Sequence, residues 1–312
     1  MISAPEPHPL DFDWRFDAQS VDKLAQIIPS TTPIIALGCP SLATRFRELG
    51  NDAILIDRQP IQGAEGQIEL DIQTDPPRKF KALTAIVDPP WYPGHLFRWV
   101  SWAAACVGEG GEVYASMWPP GTRPTGEIEY LKARKWMDTW ATVSELEYQP
   151  TYKIPIFELA SLQSSEAGPL AQSPRVGRLL RIKVNEVPPL PSISPSGECW
   201  RRFVFNDYQI AIRKSAEEPN PPALNQLSNA DGWIWPYVSR RAPHRDKIDI
   251  WSSRNEVAQA TGVRPLTEAF RALSASQSTT DFDYLISQFP FLTDWKLTRP
   301  PYWRTREWLH LQ

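Results

Sequence analysis

The sequence predicts a doubly wound α/β fold, in which helices cover both faces of a largely parallel sheet. Short apolar runs at 33–38, 53–56 and 82–87 alternate with helical patterns, and such runs are typical of parallel strands that are buried on both faces. Three successive predicted strands are also followed directly by an aspartate. This repetition predicts a polar edge of the sheet, where open α/β folds bind their ligands.

The first predicted strand leads into a turn that contains glycine. Before it, Ser20 is expected to begin a short amphipathic helix. The run 33–38 is too short for a helix and rich in β-branched residues, so it predicts a buried strand. The turn Gly38-Cys39-Pro40-Ser41 then connects this strand to a helix over 42–49.

The next three predicted strands place acidic residues at their ends. The strand 53–56 ends at Asp57, a short strand over 67–70 ends at Asp71, and the strand 82–87 ends at Asp88. Because the carboxyl ends of parallel strands meet at one edge of a sheet, the three carboxylates are expected along that edge.

The rest of the predicted sheet continues the alternation of helices and strands. We expect a helix over 94–107, a strand over 112–117, a helix over 125–137 and a strand over 139–149. The segment 177–184 alternates apolar with long polar residues, which predicts a half-exposed antiparallel strand.

Proline content suggests the domain boundaries. We expect an N-terminal segment over 1–30, the α/β domain over 31–186, a proline-rich linker over 187–197 and an appended C-terminal subdomain over 198–312. Proline lacks a backbone donor and fixes φ, so a proline-rich stretch is typical of a rigid connection.

The C-terminal subdomain has weaker patterns. The runs 200–205 and 208–213 flank Asn206-Asp207 and predict a β-hairpin. From 230 onwards the pattern is irregular and partly helical. Three apolar segments lie within it, at 254–260, 266–273 and 282–289.

Composition excludes several classes of protein. A formal net charge of −3 and a pI near 5.9 mean that a nucleic-acid partner would have to meet a local basic patch. The three cysteines, Cys39, Cys106 and Cys199, are too scattered for a disulfide framework or a zinc site, so no metal is expected. The N-terminus does not resemble a signal peptide, and no stretch approaches the ~20 apolar residues of a membrane helix. We therefore expect a cytoplasmic protein without a membrane partner.

The strand ends suit the cofactor S-adenosylmethionine. A small residue such as Gly38 lets the backbone approach the methionine part, and Asp57, about 20 residues later, can accept the ribose hydroxyls. Asp71 can accept from the adenine amino group; the alternative is that these aspartates cap helices or turns. A dinucleotide-binding enzyme would instead require G-x-G-x-x-G, which Cys39-Pro40-Ser41 does not continue. The predicted cofactor contacts are Leu37, Gly38, Cys39, Pro40, Asp57, Arg58, Asp71 and Ile72.

The motif after the fourth strand predicts the chemistry. The exocyclic amine of adenine is a poor nucleophile, and a site helps by accepting its hydrogens. The Asp88 carboxylate can take one hydrogen and the Pro90 carbonyl the other, while Pro89 and Pro90 hold that carbonyl rigidly. Trp91 or Tyr92 can stack on an unpaired or flipped-out base. The alternative is a proline-rich turn that simply ends a strand.

These residues carry a resemblance to a known family. Asp88–Tyr92, together with Leu37-Gly38-Cys39-Pro40-Ser41-Leu42 upstream, resembles the N6-adenine methyltransferase-like family. That family includes a zinc-finger ribosomal-RNA adenine methyltransferase and the elongation-factor lysine methyltransferases. The resemblance covers roughly residues 10–185 and implies a Rossmann-like class I methyltransferase sheet. It also implies cofactor contacts at Gly38, Asp57 and Asp71, and amine-orienting roles for Asp88 and Pro90 with Trp91.

Several further residues have two interpretations. Asp13-Trp14-Arg15-Phe16 either places an aromatic ring against the methionine end of the cofactor or packs the N-terminal segment. Trp118-Pro119-Pro120 either walls the acceptor pocket or turns the chain. Tyr152 and Phe157-Glu158 either line that pocket or staple a loop. Cys39 has no histidine near it in sequence, which disfavours a nucleophilic role.

One cluster combines basic and aromatic residues. Arg240, Arg241, His244 and Arg245 lie close in sequence to Trp233, Trp235 and Trp251. The mixture can bind phosphates and stacked bases, or it can be a solvated loop fixed by tryptophan packing. The segment 301–308 has a similar mixture.

Three hypotheses about function follow. The leading one is an S-adenosylmethionine-dependent methyltransferase that acts on an amino nitrogen, N6 of adenine in DNA or RNA. The second keeps the enzyme class but takes a protein lysine as acceptor. The third is a non-catalytic binding or scaffold subunit that keeps the fold, with a protein partner on the C-terminal subdomain.

Overall fold

A computed structural model describes residues 5–10, 14–29, 33–59, 61, 64, 66–155, 157–158, 175–192, 200–205, 208–217, 221–228, 245–273, 282–288 and 294–300. These residues divide into two compact units. The first contains those within 14–153 and 175–192, and the second contains 5–10, 154–155, 157–158 and those from 200 onwards. No helix among these residues combines the length and the apolar character required to cross a bilayer.

A seven-stranded sheet forms the centre of the first unit. Its strands are β2 (Ile34–Leu37), β3 (Ala53–Asp57), β4 (Gln67–Glu69), β5 (Thr84–Val87), β6 (Glu112–Met117), β7 (Ala141–Leu146) and β10 (Arg178–Val184). The spatial order is β4-β3-β2-β5-β6-β10-β7. The five strands from β4 to β6 in that order are parallel, and β10 runs antiparallel between β6 and β7. The sheet is thus wound outwards from β2 in both directions, as the alternation of strands and helices predicted.

Four helices of the first unit join these strands. They are α1 (Ala18–Ile27), α2 (Pro40–Glu48), α3 (Pro93–Val107) and α4 (Gly126–Met137). The helix that we expected to start at Ser20 starts two residues earlier, because the Asp17 carboxylate accepts the Ser20 N–H at 2.7 Å and caps it. Ser20 is instead fully buried and bonds to the Thr151 hydroxyl.

A small antiparallel sheet accompanies the large one in the first unit. Its strands are β1 (Arg15–Phe16), β8 (Thr151–Lys153) and β9 (Arg175–Val176), in the order β1-β8-β9. Phe16 pairs with Tyr152 in this sheet. The short β1 strand therefore carries part of the sequence Asp13-Trp14-Arg15-Phe16 to a position beside Tyr152.

The second unit is a five-stranded antiparallel sheet with two helices. Its strands β11 (Trp200–Phe205), β12 (Tyr208–Arg213), β13 (Ala223–Asn225), β14 (Ile250–Ser252) and β15 (Val257–Thr261) run in the order β11-β12-β14-β15-β13. The helices are α5 (Arg264–Leu273) and α6 (Phe282–Ser287). The predicted hairpin is confirmed as β11 and β12.

Of the three apolar segments expected after residue 230, the segment 254–260 lies largely in a strand, whereas 266–273 and 282–289 overlap the helices α5 and α6. Val257–Thr261 is a strand, and residues 252–256 form a turn in which every residue is buried. The turn itself is polar, and the strand beyond it packs into the core of the second unit through Ala258 and Ala260.

Candidate active site

The carboxyl ends of β2, β3 and β5 meet at one edge of the first unit. Leu37 pairs with Ile56 on one side and with Val87 on the other. The Gly38 N–H donates to the Ile56 carbonyl at 2.9 Å, and the Asp88 N–H donates to the Leu37 carbonyl at 3.4 Å. The sheet therefore brings Gly38, which follows β2, next to Asp88, which follows β5.

A cleft of about 220 Å³, its opening to solvent included, lies at this edge. β1 and its flank contribute one wall, the loop after β2 and the start of α2 contribute another, and Asp88 comes from the end of β5. The lining residues are Trp14, Arg15, Phe16, Gly38, Cys39, Pro40, Ser41, Leu42 and Asp88. The N-terminal segment and the strand-end motif thus belong to the same cleft.

Gly38 is required by its conformation and by its neighbour. Its φ is +64°, a left-handed value that residues with a side chain rarely adopt. A Cβ at this position would lie 2.7 Å from Cζ3 of Trp99 on α3, which is closer than atoms can pack. The close approach of the loop to α3 therefore depends on the missing side chain.

Gly38→Ala is expected to destabilise the protein by more than Gly50→Ala. Gly50 also has a positive φ, +81°, but nothing lies within 4 Å of a Cβ there. Gly50→Ala is therefore the control, and it should lower the free energy of unfolding only by the cost of a left-handed backbone in a residue with a side chain, about 1–2 kcal/mol. Urea unfolding of both variants measures the difference. Equal losses would mean that Trp99 moves aside without cost and that the loop does not need glycine for packing.

The Cys39 thiol is buried beside the cleft. It is 3 % exposed and donates to the Leu37 carbonyl at 3.2 Å. Burial, followed by the charges of Asp88 and Asp57, raises the pKa of this thiol well above its usual value. A buried thiol with a raised pKa is a poor nucleophile, and the sequence analysis also disfavoured a nucleophilic role.

Asp57 and Asp71 each use one carboxylate oxygen in a local turn. Oδ1 of Asp57 accepts the Gln59 N–H at 2.9 Å, and Oδ1 of Asp71 accepts the Gln73 N–H at 2.9 Å. These bonds are the turn-capping role that was the alternative to cofactor binding. A carboxylate has about four acceptor positions, however, so a turn bond uses only part of its capacity.

Asp88 has a partner that the sequence analysis did not identify. The Tyr152 hydroxyl on β8 donates to Asp88 Oδ1 at 2.7 Å, and Oγ of Ser116 on β6 lies 2.5 Å from the Tyr152 oxygen. The sequence analysis considered Tyr152 as a residue that lines the pocket or staples a loop. In the structure it links Asp88 to Ser116 through hydrogen bonds. No sequence signal joins positions 88, 116 and 152, because the fold alone brings their strands together.

The loop that follows Asp88 is held on two sides. The Tyr92 N–H donates to the Pro90 carbonyl at 2.6 Å, which occupies one of the two lone pairs of that oxygen. The Arg123 guanidinium donates to the Trp91 carbonyl at 2.8 Å and lies 4.5 Å above the ring of Trp118. Arg123 therefore anchors the motif, and the sequence analysis did not identify it.

Trp118 packs in the interior. It is 1 % exposed, and its indole N–H donates to the Gly126 carbonyl at 2.8 Å. These contacts are those of a side chain that packs in the core. Trp91 is only partly buried, and its ring meets that of Tyr152 edge-on, with centroids 5.3 Å apart.

The basic and aromatic cluster lies mostly outside the described residues. Arg240, Arg241, His244, Trp233 and Trp235 are not among them, and neither is the segment 301–308. Within the described part of the cluster, Trp251 is fully buried on β14. Arg245 lies in a short 3₁₀ helix that ends at Lys247.

No family model matches the chain, and no curated protein matches its sequence. Among solved structures, the chain is similar to the branched-chain polyamine synthase from Thermus thermophilus, in complex with N4-aminopropylspermidine and 5'-methylthioadenosine, with 16% identity and a TM-score of 0.48. That match covers 62% of this chain and 64% of the synthase, so the chain spans just under two thirds of its length.

Two other solved structures are more distant. The 16S rRNA N2 G1207 methyltransferase of T. thermophilus, in complex with AdoMet and guanosine, has 14% identity and a TM-score of 0.35, with 71% of this chain and 55% of that chain covered. The geranyl diphosphate C-methyltransferase of Streptomyces coelicolor has 15% identity and a TM-score of 0.35, with 54% and 79% covered. By its own strand order and connections, the first unit confirms the predicted fold class, a Rossmann-like α/β sheet.

Proposed function

We propose that this protein is an S-adenosylmethionine-dependent methyltransferase that acts on an amino nitrogen, with N6 of adenine in DNA or RNA as the acceptor. One observation carries the proposal. Asp88, at the start of Asp-Pro-Pro-Trp-Tyr, lines the same cleft as the Gly38 loop. Open α/β sheets bind ligands at this edge, so a methyl donor and an amine acceptor can meet there.

The residues around the cleft fit the proposed cofactor. Gly38 lets the loop approach α3 closely, and the first turn of α2, at Ser41 and Leu42 after Pro40, can offer backbone N–H groups to an anionic carboxylate. Asp57 at the end of β3 is proposed to accept the ribose hydroxyls, and Asp71 the adenine amino group. The proposed contacts also include the flanking residues Leu37, Cys39, Arg58 and Ile72.

The motif would prepare the acceptor amine. Bound S-adenosylmethionine supplies an electrophilic methyl group on a sulfonium. Asp88 and the second lone pair of the Pro90 carbonyl accept hydrogens from the amine, which favours the rehybridised nitrogen of the transition state. Pro89 and Pro90 keep that carbonyl fixed, and Trp91 is placed to contact the ring of the base.

The chemistry around Asp88 favours a neutral amine as the acceptor. Tyr152 donates a hydrogen bond to Asp88, and such a bond stabilises the ionised carboxylate and makes it a weaker base. A weak base suits an adenine amine, which arrives uncharged and needs only acceptors. A lysine ammonium would first have to lose a proton, for which a stronger base is the better partner.

Two measurements test the proposal. Isothermal titration with S-adenosylmethionine should show binding; the absence of heat at high cofactor concentration would support the non-catalytic scaffold hypothesis instead. Incubation with methyl-labelled cofactor and separate DNA, RNA and protein pools should place label in nucleic acid, recovered as N6-methylated adenine nucleoside. If the label is found instead in lysine residues of the protein pool, the acceptor is lysine and the proposed adenine acceptor is wrong.

A further inference from the structure

A chain of two buried hydroxyl groups ends on the proposed catalytic carboxylate. Tyr152 is 2 % exposed and Ser116 is fully buried, and the Tyr152 oxygen lies 2.7 Å from Asp88 Oδ1 and 2.5 Å from Ser116 Oγ. We propose that Tyr152, itself held by Ser116, is a positioning residue that fixes the orientation and the ionised form of Asp88 during methyl transfer. This inference rests on the proposed function.

The direction of the hydrogen bonds follows from the groups themselves. An ionised carboxylate can only accept, so the Tyr152 hydroxyl donates to Asp88. The Tyr152 oxygen is then the acceptor for the hydroxyl hydrogen of Ser116. Burial, followed by the charge of Asp88, raises the pKa of Tyr152 well above its usual value, so the phenol stays protonated and remains a donor.

The surroundings leave the Tyr152 ring little freedom. The Phe16 ring packs against it with centroids 4.8 Å apart, and Trp91 meets it edge-on. A Cβ on Gly177 would lie 2.8 Å from Ser116 Oγ and 3.2 Å from Cε2 of Tyr152, so the chain passes the hydroxyl pair at a position where no side chain fits. Because the Tyr152 ring is held in place, its hydrogen bond to Oδ1 fixes the orientation of the Asp88 carboxylate.

The reaction explains why that direction matters. The amine nitrogen forms a bond to the methyl carbon, the carbon–sulfur bond breaks with its electron pair remaining on sulfur, and the nitrogen loses one proton through Asp88 to solvent. Asp88 must therefore be ionised when the amine arrives and must present an oxygen to it. With Oδ1 held by Tyr152, the carboxylate cannot rotate freely, and its orientation toward the amine is constrained.

Tyr152→Phe tests the inference because it removes only the hydroxyl. We expect kcat to fall about tenfold to a hundredfold, as for the loss of a hydrogen bond to a charged group, with cofactor affinity unchanged. The acidic limb of the kcat profile should move to higher pH by about one to two units, because the carboxylate loses a stabilising donor. Ser116→Ala should change both in the same direction by a smaller factor.

The chain offers a matched control. The Tyr130 hydroxyl on α4 also donates to a carboxylate, Glu145 Oε2, at 2.6 Å, and Tyr130 is 7 % exposed. Tyr130→Phe therefore removes the same kind of bond without touching the residues at the cleft. It should leave kcat and its pH profile unchanged, and an equal effect in both variants would indicate a general loss of stability and overturn the inference.

A second readout does not depend on activity. Carbon-13 NMR of aspartate-labelled protein, with Asp88 assigned through Asp88→Ala, should show its carboxyl titrating at higher pH in Tyr152→Phe than in the wild type. An unchanged titration together with an unchanged kcat profile would overturn the inference even if methyl transfer is found. If the wild type transfers no methyl group, the proposed function fails and the role in the reaction with it, while the NMR titration still reports separately on the hydrogen bond.

Discussion

Asp88→Ala is expected to lower methyl transfer by about a hundredfold to a thousandfold or more, with cofactor affinity almost unchanged. The size of the loss is that of a preorganised group that acts mainly on the transition state. Asp88 lines the cleft from the end of β5, while the Gly38 loop and α2 form the side on which the cofactor is proposed to bind. The kinetic loss should therefore appear in kcat, and isothermal titration with S-adenosylmethionine should give a Kd close to that of the wild type.

A second aspartate in the same unit serves as the control. Asp22 on α1 has a side chain that is 55% exposed and pairs with Arg45 at 2.8 Å. Asp22→Ala removes a carboxylate that does not line the cleft, so transfer should remain at the wild-type rate. If Asp88→Ala also transfers at that rate, then the carboxylate has no part in preparing the amine and the proposed mechanism is wrong.

The parallel half of the large sheet could be predicted because each of its strands has a hydrophobic pattern that is visible within a few consecutive residues. Buried parallel strands such as β2 and β5 are continuous apolar runs, and all four residues of each are buried. Asp57 ends β3 and Asp88 directly follows β5, so the polar edge of the sheet could be predicted together with the strands. The insertion of β10 between β6 and β7 could not be predicted, because strand order depends on packing across the whole sheet rather than on a pattern in any segment.

The hydrogen bond from Tyr152 to Asp88 could not be predicted from the sequence for a similar reason. Tyr152 is 64 residues away from Asp88 in the chain, and the hydrogen bond depends on the small β1-β8-β9 sheet, whose strands are two or three residues long. Strands of that length carry too little periodicity to identify. Arg123 was missed because a single arginine in a proline-containing loop has no pattern, and only its contacts with Trp91 and Trp118 give it a role.

The second unit contains a buried ion pair whose loss should have the largest effect on stability. Glu6 and Arg254 have side chains that are 9% and 5% exposed. The guanidinium donates to both carboxylate oxygens, at 3.1 Å from Nε and 3.3 Å from Nη2. The same guanidinium lies 5.4 Å from the centre of the Tyr208 ring, and the Tyr208 hydroxyl donates to the buried Glu256. Removing one charge therefore leaves an uncompensated partner inside the unit.

Arg254→Met is expected to destabilise the second unit by about 3–5 kcal/mol, the cost of breaking a buried pair from one side. Urea unfolding of the full chain measures the loss, and hydrogen exchange of residues 5–10 should show that this segment loses protection. As a control, Arg264→Met removes an exposed pair with Glu268, whose side chains are 77% and 57% exposed, and should cost less than about 1 kcal/mol.

The double variant separates the loss of the pair from the loss of packing. If the cost of Arg254→Met comes from a stranded Glu6 carboxylate, then adding Glu6→Gln should recover part of the stability, because no unpaired charge from this pair remains. If instead the two losses simply add, the arginine stabilises the unit through its contact with Tyr208, and Glu6 is not its partner in energetic terms. Residues 5–10 would then be held to the sheet of the second unit by His8, which is fully buried and bonds to the Trp251 carbonyl at 2.8 Å, and by the Gln209 side chain, which donates to the Glu6 carbonyl at 2.7 Å.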